Sequence, residues 1–438
     1  MAAASSSKEG DDDVAATFED AFKAIINSPN KSELLGQSSS TPATSRIRRS
    51  TIYRKVLRKS GRHGIEEKCF AIKFTRYEGS HEPIHRLREL QALEAMRGHE
   101  NILTQFSYEY KQGAKFTSVY QLLEPWEFSL SHQNLDEELR GCDMSRLDVL
   151  KGLVKGLDFL SSCETPIVHR GISPEAILIC KDGDRMTTKI ADFDLAKRIV
   201  GGNVSTHTGS GVDDWKPPDE EARVKYDIFG AGLIFHYVLT NGHELSHRKL
   251  YRSATAHLLN DKDEGKEDEL NFSKLDELIT ERQGNPRKSD TEFFHLGAFR
   301  RLIGRMLSRY PDKRPSAKEV EEHCALWSLK ESEDFFRNID HCKELEKMDS
   351  MTKENWADKL EDCFSECLKT AKKVDTTSQS ELARFLRNRI VHFETPDRGN
   401  PEVKKAFDGN ASSLLTYFLN LFPYLIVDAR LFHYPIPR

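Results

Sequence analysis

The sequence contains few of the features that mark secreted, membrane-spanning or metal-binding proteins. No apolar run approaches the roughly 18 residues that a membrane-spanning helix needs. The first residues, MAAASSSKEGDDD, lack the basic and apolar regions of a secretory signal. The 8 cysteines form neither C-x-x-C pairs nor a zinc-ligand spacing, so we expect reduced, mostly buried thiols. These absences predict a cytoplasmic protein with no membrane span and no structural zinc.

An excess of charge of one sign is also missing. Charged residues make up 31% of the 438 residues, yet the formal net charge is only −5. A surface that binds polyanions all over is therefore not expected, although a local basic patch stays open. The length predicts two or three domains with enough apolar residues for a sizeable core.

The order of the predicted elements divides the chain into parts. Residues 1–45 are rich in Ser, Ala, Asp and Gly, which predicts a disordered arm with one short helix at 18–26. Strand-like segments follow at 50–61 and 68–74, and helical periodicity dominates from 143–162 onwards. This order predicts an α+β fold, with a small sheet lobe, a larger helical lobe and a helical C-terminal region.

Several short motifs with charged residues follow one another along the strand-like and helical segments. In FAIKF, Lys73 lies on a predicted strand, and Glu89 on the following helix is expected to pair with it. The segment KIADFDLAK resembles the D-F-G element, with Asp192 as a metal ligand. In DKRPSAKEV, which resembles the closing segment, Arg314 is expected to pair with Asp219. The joint pattern predicts a bilobal protein-kinase-like domain.

The same motifs lack the groups that transfer phosphate. IVHRGISPEAILI resembles the catalytic loop H-R-D-L-x-x-x-N, but Gly171 replaces the aspartate and Ala176 replaces the asparagine. The segment RRSTIYRKV contains no glycine, so the loop that covers the phosphates is missing as well. Phosphoryl transfer requires that aspartate and metal ions held by Asp and Asn. We therefore predict a pseudokinase, and leave open whether ATP or ADP with Mg binds as a structural ligand to the remaining groups: Lys73, Glu89 and Asp192.

One amphipathic helix stands out in the C-terminal region, in SQSELARFLRNRIVHFETP. Its apolar residues recur at helical spacing and predict one buried stripe: Leu382, Phe385, Leu386, Ile390 and Phe393. Ser378 or Ser380 can cap the helix, and Pro396 lies just beyond its end.

The polar side of this helix carries an Arg-Asn-x-x-x-His pattern. Asn388 and His392 are four residues apart and hence neighbours on one face. Arg387 points elsewhere by periodicity, so it reaches them only through its length or where the helix ends. Taken alone, the pattern is more typical of a solvated helix face.

With these residues in place, the chain resembles the kinase-plus-nuclease family of the inositol-requiring endoribonuclease of the unfolded protein response and of ribonuclease L. The family enters its nuclease domain through a W-S-L-type segment, here WSLKESEDFF, and its nuclease site carries Arg-Asn with a His five residues after the Arg. The D-F-D variant is similar to that of ribonuclease L. The resemblance covers about residues 50–436 and implies a kinase-like domain over 46–328 and an all-α kinase-extension nuclease domain over 329–436. No sensor domain, membrane span or ankyrin repeat of the relatives is expected here.

The resemblance implies metal-independent cleavage of RNA. An RNA 2′-hydroxyl would attack the neighbouring phosphate, leaving a 2′,3′-cyclic phosphate and a 5′-hydroxyl. His392 would protonate the departing oxygen, Arg387 would stabilise charge on the phosphorane, and Asn388 would hold the phosphate or the histidine. Activation would follow from homodimer formation through the kinase-like lobes.

One position departs from the family pattern. Thirteen residues before Arg387 the family usually has a tyrosine, and this chain has Val374. The nuclease could be slow, use another group or be inactive. Two alternatives to an active nuclease stay open: an inert scaffold that regulates an active relative, and a weak serine/threonine kinase.

Overall fold

The structure is a computed structural model, in which the chain divides into two compact units. The described residues are 21–27, 49–61, 64–78, 98–113, 115–199, 214–218, 225–245, 272–288, 295–339, 355–370, 374–393 and 400–433, with Leu90, Met96 and Thr395. Unit 1 comprises Met1–Ile234 and Arg309–Ala317, and unit 2 comprises Phe235–Ser308 and Lys318–Arg438.

Unit 1 begins with an antiparallel sheet of four strands in the order β1-β2-β4-β3. The strands are β1 (Arg49–Gly61), β2 (Gly64–Glu78), β3 (Gln105–Gln112) and β4 (Phe116–Leu123). On the central strand β2, Lys73 pairs with Ile52 of β1 and with Gln121 of β4. Because successive strand residues face opposite sides of a sheet, Lys73 shares a face with Ala71, and Ile72 lies on the other face.

A short helix, α1 (residues 21–27), packs on that other face. Phe22 and Ile26, one helical turn apart, are fully buried in a cluster with strand residues: Phe70, Ile72, Tyr120 and Leu122. The Lys111 ammonium donates a hydrogen bond of 2.6 Å to the carbonyl oxygen of Ile26. The predicted short helix at 18–26 is therefore observed over 21–27, and the rest of the predicted arm lies outside the described residues.

The remainder of unit 1 combines helices with three small strand pairings. Its elements are β5 (Phe128–Ser129), α2 (Leu135–Gly141), α3 (Arg146–Ser162), β6 (Ile167–Val168), β7 (Ile177–Asp182), β8 (Arg185–Ile190), β9 (Lys197–Arg198) and the first part of α4 (Tyr226–Leu239). Helix α3 confirms the helix predicted over 143–162, and Ser145 caps it by accepting a hydrogen bond of 3.1 Å from the Asp148 amide. Arg314 is buried 5.1 Å from the Phe229 ring, and its predicted partner Asp219 lies outside the described residues.

Unit 2 is helical in its described residues. It contains α5 (Ser273–Gly284), α6 (Leu296–Met306), α7 (Ala317–Glu321), α8 (Leu329–Asn338), α9 (Ser365–Thr370), α10 (Gln379–Val391), α11 (Pro401–Ala406), α12 (Ala411–Leu421) and α13 (Leu425–His433). Its C-terminal part is built around a cluster of aromatic rings: Phe364, Phe385, Phe407, Tyr417 and Phe418. Neighbouring rings lie about 5–6 Å apart, a spacing at which aromatic pairs stabilise a core beyond their buried area.

Within unit 2 the C-terminal helices pack directly against α6. A Cβ placed on Gly297 of α6 would lie 2.3 Å from the carbonyl oxygen of Pro423, so the two backbones touch with no side chain between them. Arg301 pairs with the buried carboxylate of Asp428 on α13, and its guanidinium lies 4.7 Å from the centre of the Tyr424 ring. Burial raises the pKa of Asp428, and the hydrogen bond from Arg301 opposes that rise.

A second connection inside unit 2 is made by Arg287, which follows α5. Its Nε donates to both carboxylate oxygens of Glu361, at 2.7 and 2.9 Å, and its Nη1 donates to the Ala406 carbonyl at 2.6 Å. Its guanidinium also lies 4.8 Å from the centre of the Phe407 ring. These contacts join the segment after α5 to the C-terminal part of unit 2, and the predicted domain boundary near 329 stays a prediction.

Candidate functional sites

Three charged side chains meet beside strand β2. The Lys73 Nζ lies 2.5 Å from Asp192 Oδ1 and 3.3 Å from Asp194 Oδ2. Asp192 has a left-handed backbone conformation, with φ 61° and ψ 56°. The structure therefore brings together the predicted residues Lys73 and Asp192, although they are 119 positions apart. The predicted partner Glu89 lies outside the described residues.

Asp194 was not among the predicted site residues, although the motif D-F-D in place of D-F-G could have indicated it. Asp194 is the more buried carboxylate, with 14% of its side chain exposed against 46% for Asp192. Both carboxylates lie within ion-pair distance of the Lys73 ammonium. Among the described residues no cluster of three or more His, Cys, Asp or Glu side chains could hold a metal ion.

Hydrogen bonds hold the backbone of the catalytic-loop motif. Asp227 accepts hydrogen bonds from the amides of His169, at 2.6 Å, and Arg170, at 2.8 Å. The His169 Nε2 lies 2.8 Å from the Ala191 carbonyl, and its Nδ1 accepts from the Gly171 amide at 3.2 Å. A ring that donates through one nitrogen and accepts through the other is neutral, and burial lowers the pKa of His169 accordingly. The histidine therefore supports the loop as a neutral hydrogen-bonding group.

The glycine and the alanine of the catalytic-loop motif have different surroundings. A Cβ on Gly171 would make ordinary contacts, the nearest being 3.5 Å from Leu195 Cδ1. Ala176 is buried, with 2% of its surface exposed, in the short 3-10 helix Pro174–Ala176. A lack of space for a Cβ therefore does not explain the glycine at position 171.

An apolar cluster lies next to the charged group. Ala71 shares the β2 face with Lys73, and Ala191 directly precedes Asp192. The buried members of the cluster are Ala71, Leu103, Leu123, Leu178, Cys180 and Ala191, with Ile52 and Trp126 packed against them. An apolar wall beside a few converging charged groups is the usual composition of a small-molecule site.

The second candidate site is on helix α10, where the predicted geometry is observed in detail. Ser378 caps the helix by accepting a hydrogen bond of 3.0 Å from the Glu381 amide. All five residues of the predicted stripe are buried: Leu382, Phe385, Leu386, Ile390 and Phe393. The Phe385 ring packs against Trp356 with ring centres 5.4 Å apart. The helix is thereby fixed in rotation about its axis, which determines the side presented by its polar residues.

The three predicted nuclease residues lie at the C-terminal end of this helix, and all are half-buried. Arg387 Nη1 donates a hydrogen bond of 3.1 Å to Asn388 Oδ1. The side chains of adjacent helix residues do not face each other, so Arg387 makes this contact through its length. This is one of the two predicted ways for Arg387 to reach Asn388. His392 is the C-cap, with φ −96° and ψ 6°, and its amide donates to the Asn388 carbonyl at 3.1 Å. The helix thus ends at His392, directly beside the Arg-Asn pair.

The turn before α10 contains Val374, where relatives are expected to have tyrosine. The turn is anchored by Trp356, whose amide donates to the Thr376 carbonyl and whose Nε1 donates to the Ser378 carbonyl, both at 2.9 Å. Beside Val374, the exposed Asp375 carboxylate accepts hydrogen bonds from Thr377, which lower the pKa of Asp375. Position 374 therefore belongs to an ordered turn and carries no titratable group.

Two further polar residues near α10 were not identified from the sequence. The buried Cys367 Sγ lies 3.2 Å from Arg389 Nη1 and 3.2 Å from Asn400 Nδ2. Asn400 precedes Pro401 and caps α11, an arrangement that the N-cap preferences could have indicated. No pattern in the sequence signals the role of Cys367.

Comparison with known proteins identifies two domain families in the chain. Residues 56–326 match the family described as protein kinase domain, and residues 328–434 match the family described as Ribonuclease 2-5A. The chain belongs to the protein kinase family, with a ribonuclease 2-5A domain behind its kinase domain. The predicted resemblance to kinase-plus-nuclease proteins and the predicted fold class are thereby confirmed. In the described part of the kinase and ribonuclease domains, no helix is long and apolar enough to cross a membrane.

Several curated relatives carry both activities in their names. The human serine/threonine-protein kinase/endoribonuclease IRE2 is 28% identical over 368 residues, covering 78% of this chain and 36% of that protein. The serine/threonine-protein kinase/endoribonuclease IRE1a of Arabidopsis thaliana is 25% identical over 416 residues, covering 80% of this chain and 46% of that protein. The corresponding protein ire-1 of Caenorhabditis elegans is 27% identical over 304 residues, covering 64% and 28%. The chain spans less than half the length of each of these relatives.

Proposed function

We propose that the protein is an endoribonuclease whose kinase-like domain does not transfer phosphate. The observation that carries the proposal is the hydrogen-bonded pair Arg387–Asn388 beside His392 at the end of α10, within a domain of the ribonuclease 2-5A family. This set of side chains contains a proton donor and a cationic hydrogen-bond donor, the two kinds of group that RNA transesterification needs. Its nucleophile is supplied by the RNA itself.

In the proposed reaction the RNA 2′-hydroxyl gives its proton to a solvent water and its oxygen forms a bond to the adjacent phosphorus, while the bond from phosphorus to the 5′-oxygen breaks. His392 donates a proton to that departing 5′-oxygen. Arg387 stabilises the negative charge that grows on the non-bridging oxygens, and Asn388 keeps the guanidinium in place through their hydrogen bond. Because these groups handle both charge and proton transfer at the leaving side, the mechanism requires no metal ion.

The products test the proposal directly. Purified protein incubated with a panel of hairpin RNAs and excess EDTA should leave 2′,3′-cyclic phosphate and 5′-hydroxyl ends, identified by mass spectrometry. Intact RNA throughout the panel would instead favour an inert scaffold that regulates an active relative. The absence of a phenol at Val374 is the observation in favour of that second candidate.

We further propose that cleavage requires pairing of two kinase-like lobes in a C2 homodimer, as the family resemblance implies. The expected result is that RNA cleavage per chain rises with protein concentration through the range in which sedimentation shows monomers becoming dimers. The reason is that a site completed by pairing is populated in proportion to the dimer. Specific activity that stays constant across this range would contradict the requirement for pairing.

We propose that the kinase-like domain binds a nucleotide without transferring its phosphate. The apolar cluster that contains Leu178 and Ala191 would receive the base, and Lys73 would contact the phosphates of ATP or ADP. The two carboxylates of Asp192 and Asp194 suit Mg²⁺, which takes most of its remaining ligands from phosphate and water. Bound in this way, the nucleotide would stabilise the folded domain by mass action.

We predict that neither the protein nor its Gly171→Asp variant transfers phosphate, in contrast to what the names of its relatives state of those proteins. A Cβ at position 171 would make only ordinary van der Waals contacts, so the variant should fold. It still lacks the metal-binding asparagine at Ala176, and a carboxylate alone cannot position the metal and phosphates. The measurement is incorporation of labelled phosphate from ATP into the protein or a generic substrate. Labelling that disappears when Asp192 is changed to alanine would refute the prediction.

A further inference from the structure

The buried thiol of Cys367 joins three segments around the proposed nuclease site. Cys367 lies on α9 with 2% of its surface exposed. Its sulfur lies 3.2 Å from Arg389 Nη1, on the helix that bears Arg387 and Asn388. It also lies 3.2 Å from Asn400 Nδ2, eight residues after His392. Guanidinium and amide nitrogens are donors only, so in both contacts the sulfur is the acceptor.

The donors on either side of this sulfur are themselves held in place. The Arg389 guanidinium lies 5.6 Å from the centre of the Phe385 ring, which belongs to the buried stripe of α10. The Asn400 Oδ1 accepts from the amides of Glu402 and Val403, at 2.9 and 3.3 Å, and so caps α11. The thiol therefore connects α10 to the N-terminus of α11, and the contacting residue of each is itself held in place. His392 lies between these two attachment points in the chain.

We infer that Cys367 is a positioning residue for RNA cleavage, acting through Arg389 and Asn400 to fix the chain on both sides of His392. This inference rests on the proposed nuclease function. A proton donor must be held close to the leaving oxygen, and a displacement of about 1 Å is enough to cost about 100-fold in rate. The thiol itself touches neither the RNA nor the reacting atoms. Its contribution is geometric, through its capacity to accept two hydrogen bonds.

The acceptor role separates two substitutions at this position. Cys367→Ala removes the acceptor and leaves both donors without it, whereas Cys367→Ser keeps an acceptor oxygen at nearly the same place. Cys367→Ala should lower kcat for RNA cleavage by about 10- to 100-fold with KM little changed, because a misplaced proton donor weakens only the transition state. Cys367→Ser should restore most of the rate. Cys363→Ala is the matched control, because Cys363 lies four residues before Cys367. The Cys363→Ala variant should cleave RNA like the unchanged protein.

A second readout does not depend on cleavage. Amide hydrogen exchange in peptides that cover His392 and Asn400 should be faster in Cys367→Ala and should return to the unchanged rate in Cys367→Ser. Equal kcat in Cys367→Ala and the unchanged protein, or equal loss in the alanine and serine variants, would overturn the inference. If the unchanged protein leaves no cyclic phosphate, the proposed function fails. The exchange data then still decide, because unaltered exchange in Cys367→Ala would show that the thiol does not fix this segment.

Discussion

Replacing His392 by alanine should reduce RNA cleavage by about 100- to 10,000-fold, the usual contribution of a general acid or base. The physical reason is that the departing 5′-oxygen is a poor leaving group as an alkoxide and requires a proton in the transition state. His392 is half-buried at the C-terminal end of α10, and the hydrogen bond that closes the helix is made by its backbone amide, which alanine keeps, so folding and pairing should be retained. Initial rates on a cleavable hairpin, with sedimentation and thermal unfolding on the same samples, measure all three properties.

Two controls identify the lost group as the acid. His132→Ala makes the same change at an exposed histidine, whose side chain is 50% accessible, and should leave cleavage unchanged. An RNA with sulfur in place of the 5′-oxygen at the cleaved bond needs no protonation, because a thiolate leaves readily. His392→Ala should therefore be far less impaired on the thio substrate. An equal loss on both substrates would show that His392 has another role, such as holding the RNA.

Replacing Gly297 by alanine should destabilise unit 2 by about 1–3 kcal/mol, the usual cost of forcing extra atoms into a packed interior. The new methyl group would meet the carbonyl oxygen of Pro423 at 2.3 Å and its carbonyl carbon at 2.5 Å. These are backbone atoms, so no side chain can rotate away and α6 must separate from the turn before α13. Thermal or urea unfolding monitored by circular dichroism should show the loss.

The same helix offers a matched substitution. Gly304 also lies on α6, but a Cβ there would have no neighbour within 4 Å. Gly304→Ala should therefore stabilise the protein by about 0.5–1 kcal/mol, because alanine restricts the unfolded chain and favours the helix. Similar unfolding midpoints for the two variants would mean that α6 and the C-terminal helices are not in close contact in solution.

Some features of the nuclease site were predictable because they depend on neighbours along one helix. The buried stripe of α10 and its Ser378 cap follow from the 3.6-residue period and from the preference of a serine hydroxyl for exposed amides. The sequence predicted that Arg387 reaches Asn388 either through its length or where the helix ends, and it did not decide between the two. Periodicity places the two side chains apart and does not fix the path of a long side chain. Pro396 predicted that the helix ends shortly before it, but not that it ends at His392, because fraying and capping depend on the chain beyond the helix.

The sequence by itself determined the family, the order of the kinase motifs and the loss of aspartate and asparagine at Gly171 and Ala176. Those properties are written in residue identity and spacing, which need no coordinates. Only the tertiary structure showed that Asp192 and Asp194 both pair with Lys73. The same holds for Cys367, whose sulfur accepts hydrogen bonds from Arg389 and Asn400. The members of each group are far apart in the chain, and local periodicity carries no information on which distant segments meet. Their contacts follow from the packing of whole helices and strands, which the sum of many weak long-range interactions decides.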